Sequence, residues 1–254
     1  MIVAGNTTPV KAAGLAYAAV GFFLTHVIFA LVILFLLDWV PWPNVDGEPG
    51  FRPALAAVID VALMALFGLQ HTGMARDAVK RLSAGFLPEP LERATYVHFA
   101  NVALALLLLL WQPIGGTLWN FQGVAAHIVF LVLFALGWAL SFAGSLLIDH
   151  LQLLGIRQAW SWFNGVPYVI KPFQRHWLYE IVRHPIMVGL IVAFWATPRM
   201  SVGHALFAAG LTLYMVIGSA FEERDLLARF GTGYGQYRAR VPGFVPRPWP
   251  RNRR

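Results

Sequence analysis

Residues 12–37 read AAGLAYAAVGFFLTHVIFALVILFLL, 26 consecutive positions without a charged side chain. About 20 apolar residues in a helix reach across a hydrocarbon core of roughly 30 Å, so this run alone places the chain in a membrane. Asp38, Trp39 and Pro41 follow it where a signal-peptide cleavage site would need small residues, so the run is expected to stay attached. Four further stretches have the same character: Ala54 to Gln70, Val97 to Trp111 with its flanks, Val124 to Ile148, and Gly203 to Phe221. Ile186 to Thr197 is too short for a comfortable crossing. Pro185 before it and Thr197 and Pro198 after it predict a short or re-entrant helix, hairpinned with Gly203 to Phe221. The expected fold is an all-α integral membrane protein, a bundle of five clear transmembrane helices plus this short or re-entrant one.

Composition agrees. Of 254 residues, 58% are hydrophobic and 12% are charged, and the mean hydropathy is +0.63. Soluble domains carry about twice that share of charge. There is no cysteine, which excludes a disulfide framework, thiolate-bound zinc, an iron–sulfur cluster and a cysteine nucleophile. The net charge of +7 comes from basic residues in loops and tail between apolar runs, a pattern of membrane topology and not of nucleic-acid binding.

With the N-terminus in the cytosol, 17 of the 19 Lys and Arg residues fall on the inner side, leaving Arg52 and Arg199 outside. The inner set includes Lys80, Arg81, Lys171, Arg175 and eight Arg from Arg224 to Arg254. Trp39, Trp42, Trp111, Trp119 and Trp195 then sit at the outer interface, where indoles are favoured. Both termini are expected to face the cytosol, with the protein in a bacterial inner membrane.

The longest polar segments, Thr72 to Thr95 and Asp149 to His184, are both on the inner side and rich in His, Trp, Arg and Pro. Ionisable groups at membrane depth are costly and therefore functional suspects, weighed against hydrogen bonding between helices. For Asp60 and His26 the structural reading is favoured. The inner span ends are different: His71 closes the second, Asp149 and His150 the fourth, His184 and Pro185 open the short helix, and Glu222, Glu223 and Asp225 close the last. Pro185 suits the first helical turn, and the free N–H groups of that turn, with Arg183 and His184, form an anion site.

The triplet Arg183, His184, Pro185 is followed, one short hairpin later, by Glu222, Glu223, Arg224, Asp225 and Leu226, then Phe230, Gly231, Tyr234, Tyr237, Val241 and Pro242. This spaced pattern resembles the C-terminal region of the isoprenylcysteine carboxyl methyltransferase-like and phospholipid methyltransferase superfamily. Further blocks resemble one branch, the bacterial methanethiol S-methyltransferases: Gln70 to Arg76, Trp111 to Gly116, Asp149 to Gln158, and Phe194 to Pro198 with Gly203 and His204. NnrU-like membrane proteins share much of this layout. The superfamily often has Tyr two residues after the proline of Arg-His-Pro; this chain has Met187 there, so any contact of that phenol does not transfer.

The resemblance implies S-adenosylmethionine as methyl donor, bound on the cytoplasmic side in the C-terminal half, and a small thiol as acceptor, methanethiol yielding dimethyl sulfide. Arg183, His184, Pro185 and Gly189 would meet the donor with Glu222 or Glu223, the latter preferred, and with Tyr234, Tyr237 or Trp177 as aromatic faces. A thiol must be deprotonated before it attacks. Asp149 and His150, with His71, are the candidate base and relay, and Arg157 and Gln158 are candidates for the acceptor side. Asp149 and His150 have a second reading, in which they cap the fourth span and pair with Arg157. The expected organisation is one membrane-embedded domain over 1–254, with a four-helix scaffold at 1–148, a catalytic region at 149–246 and a basic tail at 247–254. The expected partners are the bilayer and the thiol, with no metal, nucleic acid or obligate protein partner. The alternatives are an NnrU-like non-enzymatic membrane factor and a methyltransferase acting on prenylcysteine or phospholipid.

Overall fold

A computed structural model of the protein describes residues 7–76, 86–169 and 177–247. Lys80, Arg81, Lys171, Arg175 and the basic tail past residue 247 lie outside the described residues. The elements run α1 (Thr8–Leu37), α2 (Pro53–Met74), α3 (Glu92–Leu109), β1 (Thr117–Asn120), α4 (Val124–Ile148), α5 (His150–Leu153), α6 (Ile156–Phe163), α7 (Trp177–Ile181), α8 (Pro185–Trp195), β2 (Arg199–Ser201) and α9 (Val202–Arg240).

Four of these helices, α1, α2, α4 and α9, are long and apolar enough to cross a membrane. The expected third crossing, α3, is not among them, because Glu92, Arg93, His98 and Asn101 dilute its 18 residues. The expected last span does not stop at Phe221. Its helix continues through the charged segment to Arg240, with a break at Gly231 (φ 53°, ψ −129°). The short helix α8 has 11 residues, a rise of about 16 Å that covers roughly half a hydrocarbon core. A short pairing of β1 with β2 is added to an otherwise helical chain, in keeping with the all-α expectation. It closes where Gly116, at φ 95°, accepts from the Val202 N–H at 3.1 Å.

The described chain divides into two compact units that alternate along the sequence: Met1–Trp119 with Asp149–Ile170 and Met200–Gly210, and Asn120–Ile148 with Lys171–Arg199 and Leu211–Arg254. In the first, the buried stripe of α1 is Gly14, Ala18, Gly21, Thr25, Ile28, Val32 and Phe35, a three-and-four spacing that faces one side of a helix. Its small members let α3 come close. Asn101 donates to the Gly21 carbonyl at 3.0 Å and accepts from the Thr25 hydroxyl at 3.0 Å. Polar residues joined between helices in this way avoid the cost of an unsatisfied group in lipid. Val20, Phe23, Leu24 and Val27, on the other side of α1, are exposed, as a lipid-facing surface requires.

Still in the first unit, Asp60 is fully buried and accepts the Gln112 N–H at 2.8 Å. The hydrogen bond read from sequence is present, with a loop amide as its donor. Ala18, Ala94 and Ala159 form a small buried core flanked by Leu15, Leu91 and Ile156. Gly155 is required there twice over: its φ is +86°, and a Cβ would come within 2.7 Å of the Ala94 nitrogen.

In the second unit the most extensive helix packing is α4 against α8. A Cβ on Gly137 would lie 2.6 Å from the Gly189 carbonyl oxygen and 2.7 Å from the Ala193 nitrogen, and one on Gly144 would lie 2.9 Å from Ile186 Cγ1. Small residues two turns apart on α4 and one turn apart on α8 let backbones approach where no hydrophobic force favours helix association. The expected hairpin partner α9 also touches α8, through a Trp195 indole N–H donating to Thr212 at 3.1 Å. The chain past α9 returns to the start of α8, where the Pro242 and Gly243 carbonyls accept from the Arg183 and His184 N–H groups at 2.8 and 3.2 Å.

Candidate functional site

Among the described residues, two clusters of ionisable side chains form, one in each unit. In the second unit the centre is Glu223, on α9 and 7% exposed. Its Oε1 accepts from Arg183 Nη2 at 2.6 Å and Nε at 2.8 Å, and lies 3.0 Å from His184 Nε2. Its Oε2 accepts from Arg238 Nε at 2.9 Å. Arg183 also donates to the Arg238 and Val241 carbonyls. His184 stacks on Phe244, with ring centroids 5.3 Å apart, and its Nδ1 is 3.6 Å from the half-exposed Glu222. Two guanidiniums meet the one buried carboxylate of Glu223 through fixed, charge-assisted hydrogen bonds. Pro185 occupies the first turn of α8 beside it, where its missing N–H leaves no intrahelical bond unmade.

The tyrosines of this unit are built in. Tyr237 is buried and its hydroxyl donates to the Tyr179 carbonyl at 2.6 Å, while Tyr179 donates to the Gly144 carbonyl at 3.1 Å. Burial, and then the neighbouring Glu222 charge, push the Tyr179 phenol up from its ordinary value, so it stays a donor. Tyr234 is 2% exposed, its ring 5.7 Å from that of Tyr237. Trp177 is exposed. The close approach at Gly189 is to the α4 backbone.

In the first unit Asp149 has φ 137° and ψ 89°, a conformation that L-residues rarely adopt. Its Oδ1 accepts from the Gln152 N–H at 3.1 Å, and its Oδ2 pairs with Arg157. The pairing with Arg157 is thus present, whereas the helix that Asp149 caps is α5 and not the fourth span. His150 turns to α1, where its Nε2 is 3.1 Å from His26 Nε2 and Phe22 packs edge-on at 5.6 Å. His26 Nδ1 lies 2.8 Å from the Phe22 carbonyl. Burial, and then the His26 ring, hold the His150 imidazole below its ordinary value, against the opposing pull of Asp149. His71 packs between Phe67 and Tyr96, at 5.4 and 5.1 Å, and Arg93 lies over Tyr96 at 4.6 Å. Arg93 also donates to the Leu153 carbonyl at 2.6 Å, and Gln158 donates to the Gln152 carbonyl at 3.2 Å.

The Glu223 cluster contains a member that was not singled out in sequence. Arg238 carries a signal, since it follows Tyr237 in the same motif. His26 was read in sequence as a hydrogen bond between helices, and what the sequence did not show is its partner, His150, 124 residues away.

A mostly helical chain with four spans of this kind is an integral membrane protein. The chain belongs to the family of methanethiol S-methyltransferases. It is 42% identical over 239 residues to methanethiol S-methyltransferase 2 of Bradyrhizobium diazoefficiens, covering 94% of this chain and 92% of that one. It is 41% identical over 234 residues to the methanethiol S-methyltransferase of Mycobacterium tuberculosis, covering 92% and 95%. A more distant similarity, 29% over 196 residues, links it to nurim of Danio rerio, covering 74% of this chain and 70% of that one. No family model and no solved structure matches the chain.

Proposed function

We propose that the protein methylates methanethiol to dimethyl sulfide with S-adenosylmethionine as donor, from the cytosolic side of a bacterial inner membrane. The observation that carries this reading is the 42% identity across 94% of the chain to a relative named for that reaction. The donor set of the Glu223 cluster fits the proposed donor. The guanidiniums of Arg183 and Arg238 suit an amino-acid carboxylate, and the half-exposed Glu222 beside His184 suits an ammonium. When bound, S-adenosylmethionine would supply a methyl carbon on a sulfonium, open to in-line attack by a sulfur lone pair with the thioether as leaving group.

In this reading Arg183, His184, Glu223 and the first turn of α8 bind and orient, and Tyr234 and Tyr237 shape the apolar wall. Asp149, His150 and His71 handle the proton of the acceptor. A thiol with a pKa above that of cysteine, about 8.5, is mostly protonated at neutral pH and needs a base. His150, kept neutral by burial, is available to accept that proton. Asp149 offers a fixed negative charge beside it.

The test is headspace analysis of the purified protein in lipid, supplied with methanethiol and labelled donor. Labelled dimethyl sulfide in proportion to protein is expected. Label appearing in lipid, or donor bound without turnover, sinks the proposal in favour of another acceptor or a non-enzymatic role.

A further inference from the structure

We propose that His26 is a positioning residue that holds His150 in the tautomer bearing hydrogen on Nε2, making Nδ1 of His150 the nitrogen that takes the thiol proton. The second half of this statement rests on the reading of His150 as the base.

The Phe22 carbonyl only accepts, so His26 Nδ1, 2.8 Å away, carries a hydrogen. A neutral imidazole carries one, so His26 Nε2 is a bare lone pair. That atom lies 3.1 Å from His150 Nε2. Two lone pairs at this separation repel, so the hydrogen between them belongs to His150. A neutral His150 then has its own lone pair on Nδ1. The rings meet edge-on, with centroids 5.1 Å apart and planes at 70°, and Phe22 packs against both. The tautomer is therefore set by the middle of α1.

Asp149 precedes His150 and is paired with Arg157 of α6, and Arg93 of α3 bonds the Leu153 carbonyl one turn on. Asp149 favours a cation at His150, whereas the His26 ring disfavours one. In the proposed step the S–H bond breaks, its electron pair stays on sulfur, and the proton bonds Nδ1. The imidazolium so formed keeps its Nε2 hydrogen bond to His26, now charge-assisted. The sulfur pair forms the new S–CH₃ bond, the pair of the broken C–S bond leaves with the neutral thioether, and the Nδ1 proton is later lost to water.

The test uses the full-length protein in lipid nanodiscs with ¹⁵N-labelled histidine, the His150 signals being assigned by difference from His150→Asn. Wild-type protein is expected to show a protonated Nε2 and an unprotonated Nδ1 at His150, and His26→Phe a mixture of tautomers. In turnover, His26→Phe should lose about 10- to 100-fold in kcat with KM little changed, as loss of an orienting partner does. His26→Gln, whose amide oxygen can still accept, should recover about 10-fold of that loss. A protonated Nδ1 in the wild type, or an unaltered tautomer in His26→Phe, overturns the positioning role. Equal losses in both His26 variants with an unaltered tautomer do the same, since packing alone then accounts for them. Wild-type turnover in His150→Ala overturns the base reading and the proton step, which separates that failure from a failure of the tautomer assignment.

Discussion

The Arg183 guanidinium and the Glu223 carboxylate stand 2.6 Å apart across 40 residues of sequence, both largely shielded from solvent. Arg183 opens the approach to α8 and Glu223 sits on α9, so this contact joins the two halves of the C-terminal pattern. Removing the carboxylate leaves Arg183, His184 and Arg238 facing one another.

Glu223→Ala is accordingly expected to cost about 3–5 kcal/mol of stability, as for one partner removed from a buried ion pair, and to abolish donor binding. Thermal unfolding in detergent and equilibrium binding of labelled donor check both. A variant with wild-type melting and binding would show the cluster to be dispensable.

Tyr237→Phe removes the 2.6 Å hydrogen bond to the Tyr179 carbonyl but keeps the buried ring. It should lower stability by about 1 kcal/mol and leave turnover within a few fold. Loss of turnover at unchanged stability would instead give the hydroxyl a chemical role.

At Gly137, leucine forces α4 away from α8, because even a Cβ meets backbone atoms at 2.6 and 2.7 Å. Gly137→Leu should destabilise by about 1–3 kcal/mol or more. The matching lipid-facing substitution Val132→Leu should be neutral, since Val132 is exposed. Equal melting temperatures for the two would contradict the packing.

Asp149→Asn keeps an oxygen for the Gln152 N–H but loses the ion pair with Arg157. Without that negative charge beside it, His150 becomes a weaker base, and turnover should fall about 10-fold. The loss should lessen as pH is raised and thiolate forms without help. A pH-independent loss would point to geometry and not charge.

Acidification should destabilise the protein through His150. Its folded value is held below the ordinary one of about 6.5, first by burial and then by His26. Between the two values the unfolded chain binds more protons, so stability rises with pH across that window and falls on descent through it. His150→Asn should flatten the slope of stability against pH below about 6.5. An unchanged slope would place the titrating group elsewhere.

Membrane insertion was legible from residues 12–37 and 124–148, because the cost of charge in lipid acts on every residue of a span and leaves a long uninterrupted signal. The approach of Arg183 and His184 to Glu223 was legible as two motifs of one pattern, and Pro185 as the start of a helix. What folding in three dimensions decided is the pairing within each element. The polar face of α3 turns to α1 through His98 and Asn101, so a stretch expected to cross with the others reads as diluted. Gly189 meets the α4 backbone, Arg238 joins Glu223, and His26 meets His150. Hydropathy is additive along the chain and can be summed from one end to the other. A hydrogen bond between rings 124 residues apart depends on helix rotation and depth, which no local stretch encodes.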